Sequence, residues 1–140
     1  MTVYLDASVL VALFANDSLT ARADAYLRAH PSELVVSDFA AAEFASAFAR
    51  RVREKLLTVN EARTAFSTFD VWTSREAARE QITSADIASA AAFIRRLDMP
   101  LRTPDAIHIA AAQRIDAELL TFDKQMVAGA RALGVAVIVG

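Results

Sequence analysis

The chain has 140 residues, a formal net charge of −2, no cysteine, and a hydrophobic fraction of 55%. That length is most simply one domain, and the missing thiols exclude disulfides, thiolate zinc sites and cysteine nucleophiles together. The charge balance excludes a bulk polycation, so any nucleic acid would be met through a local patch.

An apolar stretch begins at Thr2, with no basic region, long hydrophobic run or small-residue cleavage site before it. No signal peptide or membrane span is expected, and the lack of cysteine fits a cytoplasmic protein. Val3 to Leu5 read as a short buried strand. Asp6 then opens a helix through DASVLVALFA, capped by Asp6 or Ser8. A second helix runs from about Leu19 to His30 and ends at Pro31, and ELVVS (Glu33 to Ser37) is the second strand. Ser37 can cap the long helix that follows, in which Phe44, Phe48, Val52 and Leu56 recur at helical spacing. Its basic end, with Arg50, Arg51, Arg53 and Lys55, complements the helix dipole.

Asn60 is the expected cap of a further helix, with Ala62, Ala65, Phe66, Phe69 and Trp72 or Thr73 on one face. EQIT (Glu80 to Thr83) reads as a short strand, followed by a helix capped by Ser84 that runs to about Leu97 and is broken by Pro100. Thr103 is expected to cap the next helix, with Pro104 at the first position, where a missing N–H does no harm. Glu118 to Thr121 form a strand, Lys124 to Leu133 a short helix ended by Gly134, and Val135 to Val139 a closing strand. This alternation predicts the α/β class: a three-layer α/β/α sandwich, a mainly parallel sheet of about five short strands, and one domain over residues 1–140.

In such a fold ligands sit at the carboxyl ends of the strands. Four acids fall there: Asp6 after the first strand, Asp123 beyond the fourth, Asp105 at a helix start, and Glu43 about six residues past Ser37. At ~5 Å and an effective dielectric of ~20, each ionised pair would repel by roughly 3 kcal/mol, so the cluster calls for a neutralising metal. Oxygen donors without histidine or cysteine suit Mg2+, with Mn2+ as a substitute. Taken singly, Asp105 has the ordinary explanation of dipole complementarity, Glu43 of solvated surface and Asp123 of a turn residue. Jointly they point to hydrolysis of phosphodiesters, because Asp6 and Glu43 interrupt apolar or alanine-rich surroundings where solvated acids are rare.

VYLDASVLVALF, SDFAAAEF, TPDAIHIAAA and LLTFDKQM, in that order, resemble the PIN domain, and specifically the VapC toxin of type II toxin–antitoxin pairs. The resemblance runs from Thr2 to the last strand. It implies a Mg2+- or Mn2+-dependent endoribonuclease that hydrolyses RNA by metal-activated water, leaving a 5′-phosphate and a 3′-hydroxyl. It also implies a homodimer and a cognate VapB-type antitoxin whose C-terminal segment lies across the active-site groove. The family's acidic quartet maps onto Asp6, Glu43, Asp105 and Asp123 as metal-holding and catalytic residues. Its hydroxyl beside the first acid maps onto Ser8, and its threonine before the last acid onto Thr121.

Several residues carry two readings. Thr121 and Asp123 point to the same side of a strand, so Thr121 either orients a carboxylate or water, or simply suits a strand. Asp86 is either a fifth acid or a helix-start stabiliser. His108, one turn along from Asp105, reads as packed and hydrogen-bonded rather than catalytic, and His30 as a dipole partner. Arginine outnumbers lysine by 13 to 2, which suits phosphate contacts or reflects codon usage. Arg50, Arg51, Arg53, Lys55, Arg95, Arg96 and Arg102 are the candidates, although a charge run is usually a solvated face. Two rival functions fit less well. A haloacid-dehalogenase-type phosphatase would need a second acid where Ser8 stands, and a non-catalytic, receiver-like domain would space its acids differently. The helices between Leu19 and Leu57 are the expected surfaces for self-association and for an antitoxin.

Overall fold

The computed structural model describes residues 1–139. Its strands are β1 (Thr2–Leu5), β2 (Glu33–Ser37), β3 (Ala77–Glu80), β4 (Glu118–Thr121) and β5 (Val137–Val139). Its helices are α1 (Ala7–Phe14), α2 (Thr20–Ala29), α3 (Asp38–Arg53), α4 (Val59–Glu76), α5 (Ser84–Arg95), α6 (Thr103–Arg114) and α7 (Lys124–Ala132). The strands pair in the order β3-β2-β1-β4-β5, and every pairing is parallel. The chain winds outward from β1 through β2 to β3, then returns to the other side of β1 with β4. A topological switch point therefore lies between the carboxyl ends of β1 and β4, where α/β folds bind ligands.

Strand alternation sends neighbouring side chains to opposite faces. Val3, Leu5, Val36 and Leu120 pack on one face with Val9, Leu10, Ala40, Phe44, Phe48 and Phe69, so α1 to α4 cover it. Tyr4, Val35 and Leu119 pack on the other with Leu101, Ile109, Met126 and Ala130, under α5 to α7. This is the expected three-layer sandwich. At the centre of the first face Phe44 stacks on Phe69 with ring centroids 4.2 Å apart, and Phe14 meets both edge-on. On the second face α6 is an inner helix, buried without a break from Asp105 to Ala112. Its alanines let neighbouring helices approach closely, which accounts for part of the high alanine content.

Several boundaries differ from expectation. Thr58, not Asn60, caps α4, and Thr83, not Ser84, caps α5, because each threonine forms a reciprocal pair with the acid three residues on, Glu61 or Asp86. Arg102 is the N-cap of α6, which leaves Thr103 first and Pro104 second in the helix. The third strand is AARE rather than EQIT: α4 runs directly into Ala77, and Ala77 to Glu80 pair with Leu34 to Ser37. As a half-exposed edge strand it carries no apolar run to announce itself, and the Ile82 N–H turns away to the Asp38 carboxylate at 3.0 Å. The stripe on α3 loses Leu56, which is 68% exposed because the helix stops at Arg53. β5 starts at Val137, since the Val135 N–H bonds the Ala130 carbonyl at the end of α7.

Asp86 belongs to a structural clamp. Its buried carboxylate takes two bonds from Arg114, at 2.8 and 3.1 Å, and Arg114 also reaches Glu80 at 3.0 Å. Burial pushes the Asp86 carboxyl up, but the Arg114 bonds and the Thr83 amide outweigh it and hold the group below its ordinary value of 3.8. The stabilisation is thus complete above that value and fades as pH falls below it. Arg114→Leu should cost about 2–3 kcal/mol at pH 7, less than for a fully buried pair because Arg114 is partly exposed. Urea unfolding measures this, and a loss undiminished at pH 3 would assign it to packing rather than charge.

Candidate active site

Asp6 stands at the switch point and is only 2% exposed. It caps α1: its Oδ1 accepts the Val9 N–H at 3.2 Å and the Ser8 hydroxyl at 2.7 Å. Its Oδ2 accepts the Thr121 hydroxyl at 2.6 Å. The Thr121 oxygen in turn accepts the Asp123 N–H at 2.9 Å, and the Ser8 oxygen accepts the Phe122 N–H at 3.0 Å. Two hydroxyls therefore stitch the end of β4 to the start of α1 and hold one carboxylate between them.

Asp105, in the first turn of α6, is equally buried. Its Oδ2 accepts the Arg102 N–H at 3.3 Å and lies 3.7 Å from the Arg102 guanidinium. The same guanidinium is 3.9 Å from Asp123. Asp123 is partly buried and caps α7, accepting the Gln125 N–H at 2.9 Å. Glu43, on the second turn of α3, arrives from the side, and its Oε1 takes a hydrogen bond from His108 Nε2. His108 is buried, with Nδ1 2.6 Å from the Tyr4 hydroxyl, which lies 2.7 Å from Ser37 Oγ. It is packed and hydrogen-bonded as its sequence context implies, yet its partner is one of the four acids.

Burial pushes the Asp6 carboxyl up despite the Ser8 and Thr121 hydroxyls. Burial also raises Asp105, and the nearby charge of Asp123 adds to it against the Arg102 N–H. Contacts run unbroken from Asp6 through Thr121 and Asp123 to Arg102 and Asp105, while Glu43 is tied through His108 to Tyr4 and Ser37. Asp6, Asp123 and Asp105 are thus linked through shared contacts, and Glu43 is held separately by His108. The four acids do not form a closed cage: among the described residues, no three acidic or histidine side chains are grouped to hold an ion. Hydroxyls and amides satisfy the oxygens of Asp6, and Arg102 lies between Asp105 and Asp123.

Other candidates lie elsewhere. Asp86 sits in the Arg114 clamp, and His30 stacks on Tyr26 with ring centroids 4.2 Å apart. Arg50 pairs with Glu54 and Arg96 with Asp98 on the surface, while Arg51 lies near Asp17 and over the Phe48 ring. Of the basic residues named from sequence, Arg102 alone has a recorded ion pair with the quartet among the described residues. Tyr4 was missed altogether. Its signal was a phenol inside the otherwise apolar strand VYL, which needs a buried partner.

The family model for the PIN domain matches residues 3–131. The chain belongs to the PIN domain family. Solved structures with the same fold include VapC20 of Mycobacterium tuberculosis, a sarcin–ricin loop cleaving toxin. It has a TM-score of 0.73 and 20% identity over 90% of this chain and 93% of that one. A toxin–antitoxin complex from Klebsiella pneumoniae gives 0.64 and 24%, over 97% and 95% of the two chains. VapBC2 of Rickettsia felis, bound to a DNA fragment from its promoter, gives 0.72 and 12%, over 100% and 99%. No curated protein sequence matches the chain.

In this PIN domain the raised Asp105 pKa has a consequence for stability. With the folded value above the unfolded 3.8, the ionised group costs stability at neutral pH, and the cost disappears as pH falls toward 3.8. In metal-free buffer Asp105→Asn should therefore raise Tm by about 2–5 °C at pH 7.5, and by progressively less toward pH 4. Thermal melts across that range measure it; an unchanged or lower Tm at pH 7.5 would contradict the assignment.

Proposed function

We propose that this PIN domain is a single-domain, metal-dependent endoribonuclease of the VapC toxin type, cutting RNA phosphodiesters with Mg2+ or Mn2+. The observation that carries the reading is the continuous path of contacts joining Asp6, Asp123 and Asp105 at the switch point of the sheet. The donor set fits a hard divalent cation, since all four groups offer oxygen. Asp105 and Asp123 already share one cationic group, Arg102, and Asp6 and Asp105 are held above the usual carboxylate range.

Asp6, Glu43, Asp105 and Asp123 would hold the ion. When bound, it supplies Lewis acidity that acidifies water and offsets the charge of a phosphodiester. Ser8 and Thr121 lock the Asp6 rotamer through both of its oxygens, so little reorganisation is left for the reaction. Asp123 is anchored by the amides at the start of α7. Arg102, 71% exposed in its side chain, is free to pass from the acids to an RNA phosphate. The phosphatase alternative fares worse here, because Ser8 stands where that class needs its second acid, and its hydroxyl donates to Asp6 instead.

Similarity to VapBC2 and to the Klebsiella complex supports a cognate VapB-type antitoxin as partner. A groove of about 540 Å3 away from the four acids, lined by Leu13, Phe14, Phe48 and Leu57 together with Asn16, Thr20, Asn60 and Glu61, offers a second seat for it beyond the active-site rim. Leu56 and Val59, exposed at the α3–α4 turn, support self-association as a homodimer. Among the described residues no helix is long and apolar enough to cross a membrane; the cytoplasmic site of action we propose follows from the RNA substrate.

Asp6→Asn should keep its circular dichroism spectrum yet lose about 100-fold or more in RNA cleavage with Mg2+. Full activity of that variant would refute the assignment. Mn2+ or Mg2+ should raise the Tm of wild type but not of an Asp6→Asn, Asp105→Asn double variant. Equal shifts in the two proteins would count against a shared site.

A further inference from the structure

We infer that His108 is a positioning residue for Glu43, held in one tautomer by a one-way hydrogen-bond chain that starts at Ser37 and passes through Tyr4. The inference rests on the reading of Glu43 as a member of the metal-holding quartet.

The two ends of the chain fix its direction. The Ala40 N–H, which can only donate, bonds Ser37 Oγ at 3.0 Å. At the other end the Glu43 carboxylate can only accept, and it takes the bond from His108 Nε2. Between them Ser37, Tyr4 and His108 are at most 1% exposed, so water does not serve them. One arrangement uses every donor and every acceptor: Ser37 O–H to the Tyr4 oxygen, Tyr4 O–H to His108 Nδ1, and Nε2–H to Glu43 Oε1. A doubly protonated ring would reverse the Tyr4 hydroxyl and leave the buried Ser37 proton without an acceptor among the described residues. The ring itself is gripped by Phe39, centroids 5.2 Å apart, and by the edge of Tyr4 at 5.5 Å.

The consequence falls on Glu43. A glutamate on an alanine-rich helix has several rotamers, and ordering it costs entropy. His108 engages Oε1 and leaves Oε2, which has no hydrogen-bond partner among the described residues, for a cation or a water. Groups that orient ligands from behind typically govern metal affinity in this way. Three of the four motifs thus contribute two residues each: Tyr4 with Asp6, Ser37 with Glu43, and His108 with Asp105. The non-acidic residue of each, Tyr4, Ser37 and His108, orders the acid supplied by α3.

The test uses the full chain, with Mn2+ alone as probe. Nitrogen-15 NMR of wild type at pH 7.5 should show the Nε2–H tautomer of His108; an Nδ1–H or doubly protonated ring would overturn the chain. In Mn2+ titrations followed by electron paramagnetic resonance, His108→Leu should weaken binding ten- to a hundredfold. His108→Gln, whose amide can still donate to Glu43, should restore most of it. Adding His108→Leu to Glu43→Gln should cost nothing further, whereas additive losses would mean that His108 acts elsewhere. Tyr4→Phe, which keeps the ring and its packing, should disturb the tautomer and weaken Mn2+ binding in part. Wild-type binding that survives His108→Leu unchanged while Asp6→Asn abolishes it would sink the role of His108 and spare the quartet. No Mn2+ binding by wild type would sink both, even with the expected tautomer present.

Discussion

A carboxylate buried at the end of the central strand is the constraint around which this molecule is organised. Asp6 sits between β1 and β4, where the sheet reverses its order, and it receives one amide and two hydroxyl hydrogen bonds. Those same bonds start α1 and tie it to the end of β4. Fold and candidate site therefore share one set of interactions, and neither Ser8 nor Thr121 can be replaced without touching both. Neutral donors satisfy the oxygens but bring no full positive charge. Burial consequently keeps the carboxyl above its usual range, and the site retains a demand for positive charge.

The chain treats its buried acids in two different ways. Asp86 is matched by a two-bond contact from Arg114 and is held low. Asp105, at the other end of the same helix, meets the Arg102 guanidinium only at 3.7 Å and is raised. A structural acid comes with its own close cation. Asp105 is left incompletely compensated, and that contrast separates it from Asp86 more firmly than position in sequence does.

The alanine-rich helices make this arrangement reachable. Small side chains let α6 lie close against the sheet, buried along most of its length, so His108 reaches Tyr4 on β1 and Glu43 on α3 at once. A bulkier helix would hold the imidazole away from both partners. Close packing on one face and an aromatic cluster on the other thereby set the positions of polar groups at the rim.

Much was legible in the residues alone. The strand–helix alternation, the parallel sheet and the sites of Asp6, Asp105 and Asp123 follow from local signals: apolar runs, helix caps and the carboxyl ends of strands. Those signals act over a few residues, so they survive without tertiary context. Where they competed, as at Thr58 against Asn60, the reciprocal pair with an acid three residues on prevailed. The edge strand AARE was illegible because an edge needs only one partner and no apolar face. The link between Glu43 and His108, the sharing of Arg102 by two acids and the capture of Asp86 by Arg114 were decided by the tertiary structure. Each joins separate elements, and direction, distance and burial across such a gap exist only once the sheet has assembled.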